Sequence, residues 1–363
     1  MNPLISFVIY TRNDSYMGNS NSRLETSLNY SANTLQKLNK LNQVEFVIVD
    51  WGSEIPLYKV LNLNKQAKQI SRFLIVPPNV PGKVCTETDF PTSIILNAGI
   101  RRSKGDFIAQ GASDILLTEK MLASLFEVTE GNYKVKISGK KALYLFRRKH
   151  IPFEIANSLN TSNEKFLREL ENLPVEPLIP YLLGCAGTIM MHRDLWVESH
   201  AFDEKLIHWG WNDIDLTLRI RLRYSCIDMG EENHVYHIEH ITNNLPYLVK
   251  RKVSPSLINP FTINDENWGL AKFEFEEFPH KTTINDLIGL TEISQYTNEN
   301  YLRKHLVKLT IFIINNFTLK NIKFSINFAF LILSNYPKGS NLQKLYTFLM
   351  HIKQIFRPTI SEH

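Results

Sequence analysis

The chain has 363 residues, 44% of them hydrophobic and 21% charged, with a formal net charge of +5. This is ordinary globular composition, long enough for one large core with an appendage, and it excludes a disordered or fibrous chain. Three widely separated cysteines, Cys85, Cys185 and Cys226, make no metal spacing and no disulfide framework, which points to a reducing compartment.

The charge is unevenly placed. Residues 301–363 carry nine Lys or Arg and only Glu362 as an acid, a net +8, so residues 1–300 hold 32 basic and 35 acidic groups, a net −3. A body that is not basic disfavours nucleic-acid binding. The N-terminus, Met1-Asn2-Pro3-Leu4, runs straight into a strand-like segment without the basic and apolar regions of a signal peptide, so a cytoplasmic location is expected.

In chain order, Leu4 to Tyr10 has the composition of a buried strand and enters a polar loop, Thr11 to Arg23. A helix fits Leu24 to Leu41, a second strand Val44 to Asp50, a helix residues 55–69 and a third strand Arg72 to Val76. Such alternation predicts a parallel α/β sheet, with ligands at the carboxyl ends of the strands. Thr11, Arg12, Asp14 and Asp50 fall there, although Asp50-Trp51-Gly52-Ser53 alone reads equally as a capped turn. Thr92 to Arg102 predicts a helix carrying Asn97 and Gly99, and Asp106 to Asp114 a strand ending on a carboxylate. One Asp is a weak metal signal, since a hard cation wants several oxygen ligands. Residues 119–130 predict a helix, Tyr144 to Arg148 a strand, residues 150–180 an irregular lid or acceptor loop, and Gly184 to Asp194 a further strand.

The stretch Phe202 to Leu216 holds Trp209-Gly210-Trp211-Asn212-Asp213-Ile214-Asp215 and leads into a helix. Trp offers a flat apolar face with one polar handle, suited to a sugar ring. A carboxylate at a helix mouth tends to stay ionised, as a base must. The plainer reading is a buried Trp pair with Asp213 as an N-cap. In Glu231 to His240, histidines recur at 234, 237 and 240. A spacing of three does not put two of them on one face of a strand, so a single ligand from this run is expected rather than a pair.

In this order the pieces resemble the GT-A glycosyltransferases, family 2 in particular, over about residues 4–245. The matching residues are Tyr10-Thr11-Arg12-Asn13-Asp14; Val49-Asp50-Trp51-Gly52-Ser53; Asn97-Ala98-Gly99 with Gly105-Asp106-Phe107-Ile108; Ala112-Ser113-Asp114 at the Asp-x-Asp position; His200-Ala201-Phe202-Asp203-Glu204; and Trp209 to Asp215. Two departures stand out. The first Asp of Asp-x-Asp is absent, and the Glu-Asp pair reads Asn212-Asp213.

The resemblance implies an α/β GT-A (Rossmann-like) fold, with a mixed, mainly parallel sheet flanked by helices. It implies a catalytic domain over 1–250, its donor half about 1–115 and its acceptor half about 116–250. A connecting segment over 251–295 and a basic helical extension over 296–363 complete the expected layout. The implied activity is inverting transfer of a hexose or hexosamine from a UDP-sugar to a glycan or lipid-linked acceptor, in polysaccharide or glycoconjugate synthesis. Asp213 would be the base. Thr11, Arg12, Asp14, Asp50, Asn97, Ser113 and Asp114 would hold the donor, and Trp209, Trp211 and Asn212 the acceptor. Mn2+ or Mg2+ would sit on Asp114 and His237, the late histidine of the family pattern, with His240 in reserve.

The tail predicts amphipathic helices from Leu302 to Phe317 and Leu342 to Phe356, with no uncharged run of about 18 residues, the usual span length. It reads either as a bundle or as a basic surface meeting anionic lipid on the inner face of the cytoplasmic membrane. Two rival functions stay open. One is a non-catalytic carbohydrate-binding scaffold. The other is a sugar nucleotidyltransferase, which would need a Gly-rich loop where Thr11 to Arg23 has only Gly18.

Overall fold

The computed structural model describes residues 3–14, 18–131, 141–156, 164–178, 187–208, 210, 212–221, 224–240 and 264–279. The chain divides into two units: residues 1–253 with 262–294, and residues 254–261 with 295–363. The second unit, and with it the predicted helical extension, lies outside the described residues. No helix among the described residues is long and apolar enough to cross a membrane.

The first unit alternates as expected. Its N-terminal part runs β1 (Ile5–Thr11), α1 (Ser20–Lys37), β2 (Val44–Trp51), α2 (Leu57–Val60), α3 (Lys65–Ile70), β3 (Ser71–Val76), α4 (Pro81–Val84), α5 (Thr92–Arg101) and β4 (Phe107–Gln110). Then follow β5 (Ile115–Leu117), α6 (Glu119–Thr129), β6 (Ala142–Ile151), α7 (Phe153–Ala156), α8 (Glu164–Leu170), β7 (Val175–Glu176), β8 (Thr188–His192), α9 (Arg193–Glu198), α10 (Asn212–Arg221), β9 (Ser225–Asp228), β10 (His234–Ile238) and β11 (Glu276–Phe278). The helix expected over 55–69 is two short ones, because Asn64 restarts the helix by accepting from Ala67 N–H. The strand expected over 106–114 stops at Gln110, and Asp114 follows in a turn.

The sheet is mixed, in the order β11-β3-β2-β1-β4-β8-β6-β10-β5, with β7 and β9 also on β6. Its centre, β3-β2-β1-β4, is parallel, and its strands are covered on both faces, so they read as continuous apolar runs. The long β6 joins the two halves: its first part pairs β8 and β9, its second part β10 and β7.

Two hydrophobic layers enclose the sheet. On one face α1 packs Leu24, Leu28, Ala32 and Leu35 at helical spacing beside α3 and α6. On the other lie α5, α9, α10 and residues 268–275. Helix α5 is buried along its whole length. Gly99 permits this closeness, because a Cβ there would meet Val8 Cγ1 at 2.4 Å.

Within the stretch read as a connection, residues 264–279 add β11 antiparallel to β3 and fold over the end of α5. Arg102, next to the last residue of α5, grips that strap. Its guanidinium donates to the carbonyls of Gly269, Leu270 and Phe273, and also to Ala98 O of its own helix. The strap in turn supports the loop before α10: Gly269 N–H donates to Glu204, and Asn264 Nδ2 donates to the carbonyls of His200 and Phe202.

The same loop is held from the α10 side. Arg219 donates to Asp215 at 2.9 Å and to the carbonyls of Ser199 and Ala201, across a turn where His200 and Ala201 both have positive φ. The Asp215 and Arg219 side chains are 0% and 2% exposed. Removing one partner of a buried pair strands the other charge. Arg219→Met is therefore expected to cost about 3–5 kcal/mol in urea unfolding. A loss below about 1 kcal/mol, the scale of an exposed pair, would show that the pair does not hold this loop.

Candidate active site

The carboxyl ends of the parallel strands share one edge of the sheet, where α/β proteins bind ligands. Beyond β1, Arg12 Nε donates to Asp14 at 2.8 Å and Nη2 to Asp89 at 3.3 Å, with the guanidinium 5.6 Å from the Phe90 ring centre. Burial alone would lower the Arg12 pKa, but the bonds and charges of Asp14 and Asp89 outweigh it and raise the value. Arg12 is thus a fixed cation in a half-buried setting. Thr11, buried, stands opposite Asp50 in the ladder.

Asp50 does not face this space. It is fully buried, one oxygen accepting from Ser53 Oγ and the other from Leu57 N–H at 2.7 Å. Burial raises its pKa against those two bonds. It braces the loop that carries Gly52, whose φ is +69° and whose absent Cβ leaves room for Pro81. Both Asp50 oxygens are therefore engaged within this turn and not aimed at a donor, the role the resemblance implies.

The second cluster lies past β4. Strand β10 pairs antiparallel with β5, His237 opposite Ile115, and the Ile238 N–H donates to the Asp114 carbonyl at 2.8 Å. This sets the Asp114 side chain against two histidines: Oδ2 lies 3.5 Å from His237 Nε2 and 3.5 Å from His240 Nε2. The expectation of a single histidine is corrected here. The alternation rule holds only to Ile238, where β10 ends, and the chain then turns so that His240 meets the same carboxylate. Burial would push the Asp114 pKa up, but the His237 hydrogen bond and the nearby charges of His237, His240 and Arg23 lower it. Burial lowers the His240 pKa, favouring the neutral ring that offers a lone pair.

One ligand atom from each of Asp114, His237 and His240 lies within 4.8 Å of the others. Metal–ligand bonds of about 2.0–2.2 Å put neighbouring donors roughly 3.0–3.5 Å apart, and both histidine nitrogens stand 3.5 Å from the Asp114 oxygen, so the residues present fit a divalent ion. One carboxylate and two imidazoles suit Mn2+ better than Mg2+, which prefers oxygen ligands.

Behind the trio sits His150, in register with His237 and edge-on to it, ring centres 5.1 Å apart. Its Nε2 lies 3.1 Å from Glu176 Oε2 and its Nδ1 3.3 Å from Glu239 Oε1. Residue spacing could not reveal this layer, because β6 and β10 meet only through the parallel pairing. Arg23, in the first turn of α1, is near enough to act on Asp114 electrostatically. Its only sequence signal was its place at the end of the polar loop.

Asp213 lies in the first turn of α10, half-buried. The neighbouring Asn212 donates through Nδ2 to Ser93 Oγ, in the first turn of α5, and to Leu206 O at 2.9 Å. Helix α5 packs on β1 and β2 and leads back to the start of β4, so its N-terminus lies at the carboxyl edge. The first turn of α10, which carries Asp213, therefore lies at the carboxyl edge of the sheet.

Two other expected ligand contacts turn inward. The Asn212 amide is spent on the protein. So is Asn97, fully buried, which donates to Phe202 O and Glu204 and accepts from Phe202 N–H. Through these bonds both asparagines position the loop before α10. Ser113 is half-buried in the turn beside Asp114. Trp209 and Trp211 lie outside the described residues, and Gly210 between them has a φ of +92°.

No family model matches the sequence, and no curated protein does. Among solved structures, the chain is similar to residues 1–349 of S. aureus TarS, with 13% identity, a TM-score of 0.44, and coverage of 96% of this chain and 87% of that one. The same protein in complex with UDP-GlcNAc gives a TM-score of 0.47 at 13% identity and the same coverage. GalNAc-T7 with UDP, GalNAc and Mn2+ gives 0.41 at 16% identity, covering 66% of this chain and 44% of that one. At these scores the likeness is partial.

The His150 layer has a measurable signature in acid. Burial opposes the ionised form of Glu176, but hydrogen bonds and charge from His150 and Arg148 win and lower its pKa from 4.5 to about 2. A depressed carboxylate contributes stability that is present above its unfolded value and lost as the pH falls through its folded value. Glu176→Gln is therefore expected to lower the urea midpoint at neutral pH and to converge on the wild type as the pH falls from about 4.5 to about 2. A deficit that stays constant with pH would contradict a role for the charge.

Proposed function

We propose that this chain is a metal-dependent, inverting glycosyltransferase that moves a hexose or hexosamine from a UDP-sugar to a hydroxyl of a glycan or lipid-linked acceptor. The observation that carries the reading is the convergence of Asp114, His237 and His240 at the carboxyl edge that also holds Arg12 and Asp213. The ordered motifs from Tyr10 to Asp215 support it, since they resemble those of family 2.

Asp114, His237 and His240 would hold a divalent ion, Mn2+ by preference, which when bound supplies charge neutralisation for the departing diphosphate. Arg23 and Arg12 add fixed positive charge on the same side, with Thr11, Asp14 and Ser113 lining the nucleotide end. Asp213 accepts the proton of an acceptor hydroxyl. That oxygen attacks the anomeric carbon from the face opposite UDP, the bond from the carbon to the UDP oxygen breaks, and the configuration inverts. The N-terminus of α10 favours the ionised form of Asp213 that this step needs. Trp209 and Trp211 would stack on the sugar. The basic segment 301–363 would bring the enzyme to an anionic membrane surface from the cytoplasmic side.

A two-histidine, one-carboxylate set also serves non-haem iron oxygenases. The two readings separate readily, because sugar transfer with Mn2+ consumes no dioxygen.

UDP release from a panel of UDP-sugars, assayed with and without Mn2+, tests the proposal. At least one donor is expected to turn over only with metal. Asp213→Asn should lower kcat by about 10²–10⁴-fold while leaving UDP binding in place. Asp114→Asn should abolish the response to Mn2+. Turnover of no donor, or wild-type transfer by Asp213→Asn, would contradict the assignment.

A further inference from the structure

With Asp50 turned into its own loop, the base of a uridine nucleotide needs another acceptor. Uracil carries one ring N–H between two carbonyls, and an N–H taken out of water is costly to leave unpaired. Asp50 already accepts from Ser53 Oγ and from the Leu57 N–H. Ser53 Oγ in turn accepts from the Asn13 N–H at 2.8 Å. Beyond the ends of β1 and β2, two further carboxylates stand on Arg12: Asp14 and Asp89.

Residues 88–90, in the loop between α4 and α5, lie across those strand ends. Trp51, the last residue of β2, is buried and donates from its indole Nε1 to the Asp89 carbonyl at 2.9 Å. Phe90 packs on Tyr10, next to last in β1, with ring centres 6.1 Å apart. The Phe90 N–H donates to Thr88 Oγ1 at 3.2 Å. The backbone that carries Asp89 is thus pinned at the carboxyl edge, and its side chain reaches Arg12 from above the strands.

The two carboxylates differ in how they hold Arg12. Asp14 accepts from Nε at 2.8 Å, and its side chain is 29% exposed. Asp89 accepts from Nη2 at 3.3 Å, and its side chain is 57% exposed. Asp14 is the anchor of the guanidinium. Asp89, with the longer bond and the more open side chain, is the carboxylate placed to meet a ligand. A carboxylate can only accept and a guanidinium can only donate. Side by side they match an N–H next to a carbonyl oxygen, which the edge of uracil presents. The Phe90 ring, 5.6 Å from the guanidinium, adds an apolar flank for the base. Strand β4 is the neighbour of β1 on the side away from β2. The pair therefore lies within one or two strand spacings, of about 4.8 Å each, of the strand beyond which the Asp114 cluster sits.

We infer that Asp89 selects the base of the donor, accepting the ring N–H of a uracil-type pyrimidine while Arg12 donates to the carbonyl beside it. The presence of a nucleotide rests on the transferase reading, and a binding measurement without turnover lets either fail alone.

Isothermal titration of the full chain in Mn2+ is the test, with UDP and with its N3-methyl analogue, which lacks the ring N–H. The wild type is expected to bind UDP about tenfold or more tighter than the analogue, the equivalent of one hydrogen bond to a charged group. Asp89→Ala should bind the two ligands alike, within about threefold. A residue that only shaped the loop would weaken both ligands equally, so the preference between them is the readout and not the affinity. A wild type that binds UDP no tighter than the analogue, or an Asp89→Ala protein that keeps the full preference, would overturn the inference and leave the transferase reading standing. The expected preference in a protein that transfers no sugar would support the inference and count against the transferase. Binding of neither nucleotide would overturn both.

Discussion

One backbone hydrogen bond, from the Ile238 N–H to the Asp114 carbonyl, ties the end of β10 to the turn before β5, where the chemistry is expected. It closes the β5–β10 pairing at the point where β10 ends. Because the bond fixes both backbones, it also fixes which side chains meet. His237 is next to last in the strand, His240 comes from the chain beyond it, and both reach Asp114. Without that pairing Asp114 belongs to a different stretch of sequence from the two histidines.

The loops around this edge owe their shape to buried polar contacts more than to apolar packing. Asn97, Asn212, Asp50 and Arg219 each commit their side-chain groups to the backbone or side chains of a neighbouring loop. Buried polar groups are tolerable only when satisfied, and a satisfied network fixes one arrangement. The cost of breaking any member is high, so the network holds the first turn of α10 and the end of β1 in place. A site carried on such rigid supports keeps its geometry without a ligand.

The parallel core was legible in the sequence for a simple reason. Strands buried on both faces read as unbroken apolar runs, as in Phe46-Val47-Ile48-Val49. Helix α10 was harder, because it is buried almost all round. Leu216, Leu218 and Ile220 alternate with Thr217 and Arg219, and Arg219 is tolerated inside only because Asp215 pairs with it. Candidate site residues were legible as a set at the carboxyl edge, but not in their orientation. A sequence cannot say whether an Asp or Asn at a strand end points to a ligand or back into its own turn, and Asp50, Asn97 and Asn212 point back. His240 was undervalued because the period of a strand was applied past its end. His150 depended on a pairing between strands that no local pattern encodes.

The central claim is that the β5–β10 junction makes one divalent-ion site from Asp114 and two histidines. Mn2+ titration followed by electron paramagnetic resonance, on the wild-type chain and on His240→Gln in the presence of UDP, tests it most directly. The wild type is expected to bind one ion, and His240→Gln to weaken that binding about tenfold or more. Equal Mn2+ affinity in the two proteins would contradict the account.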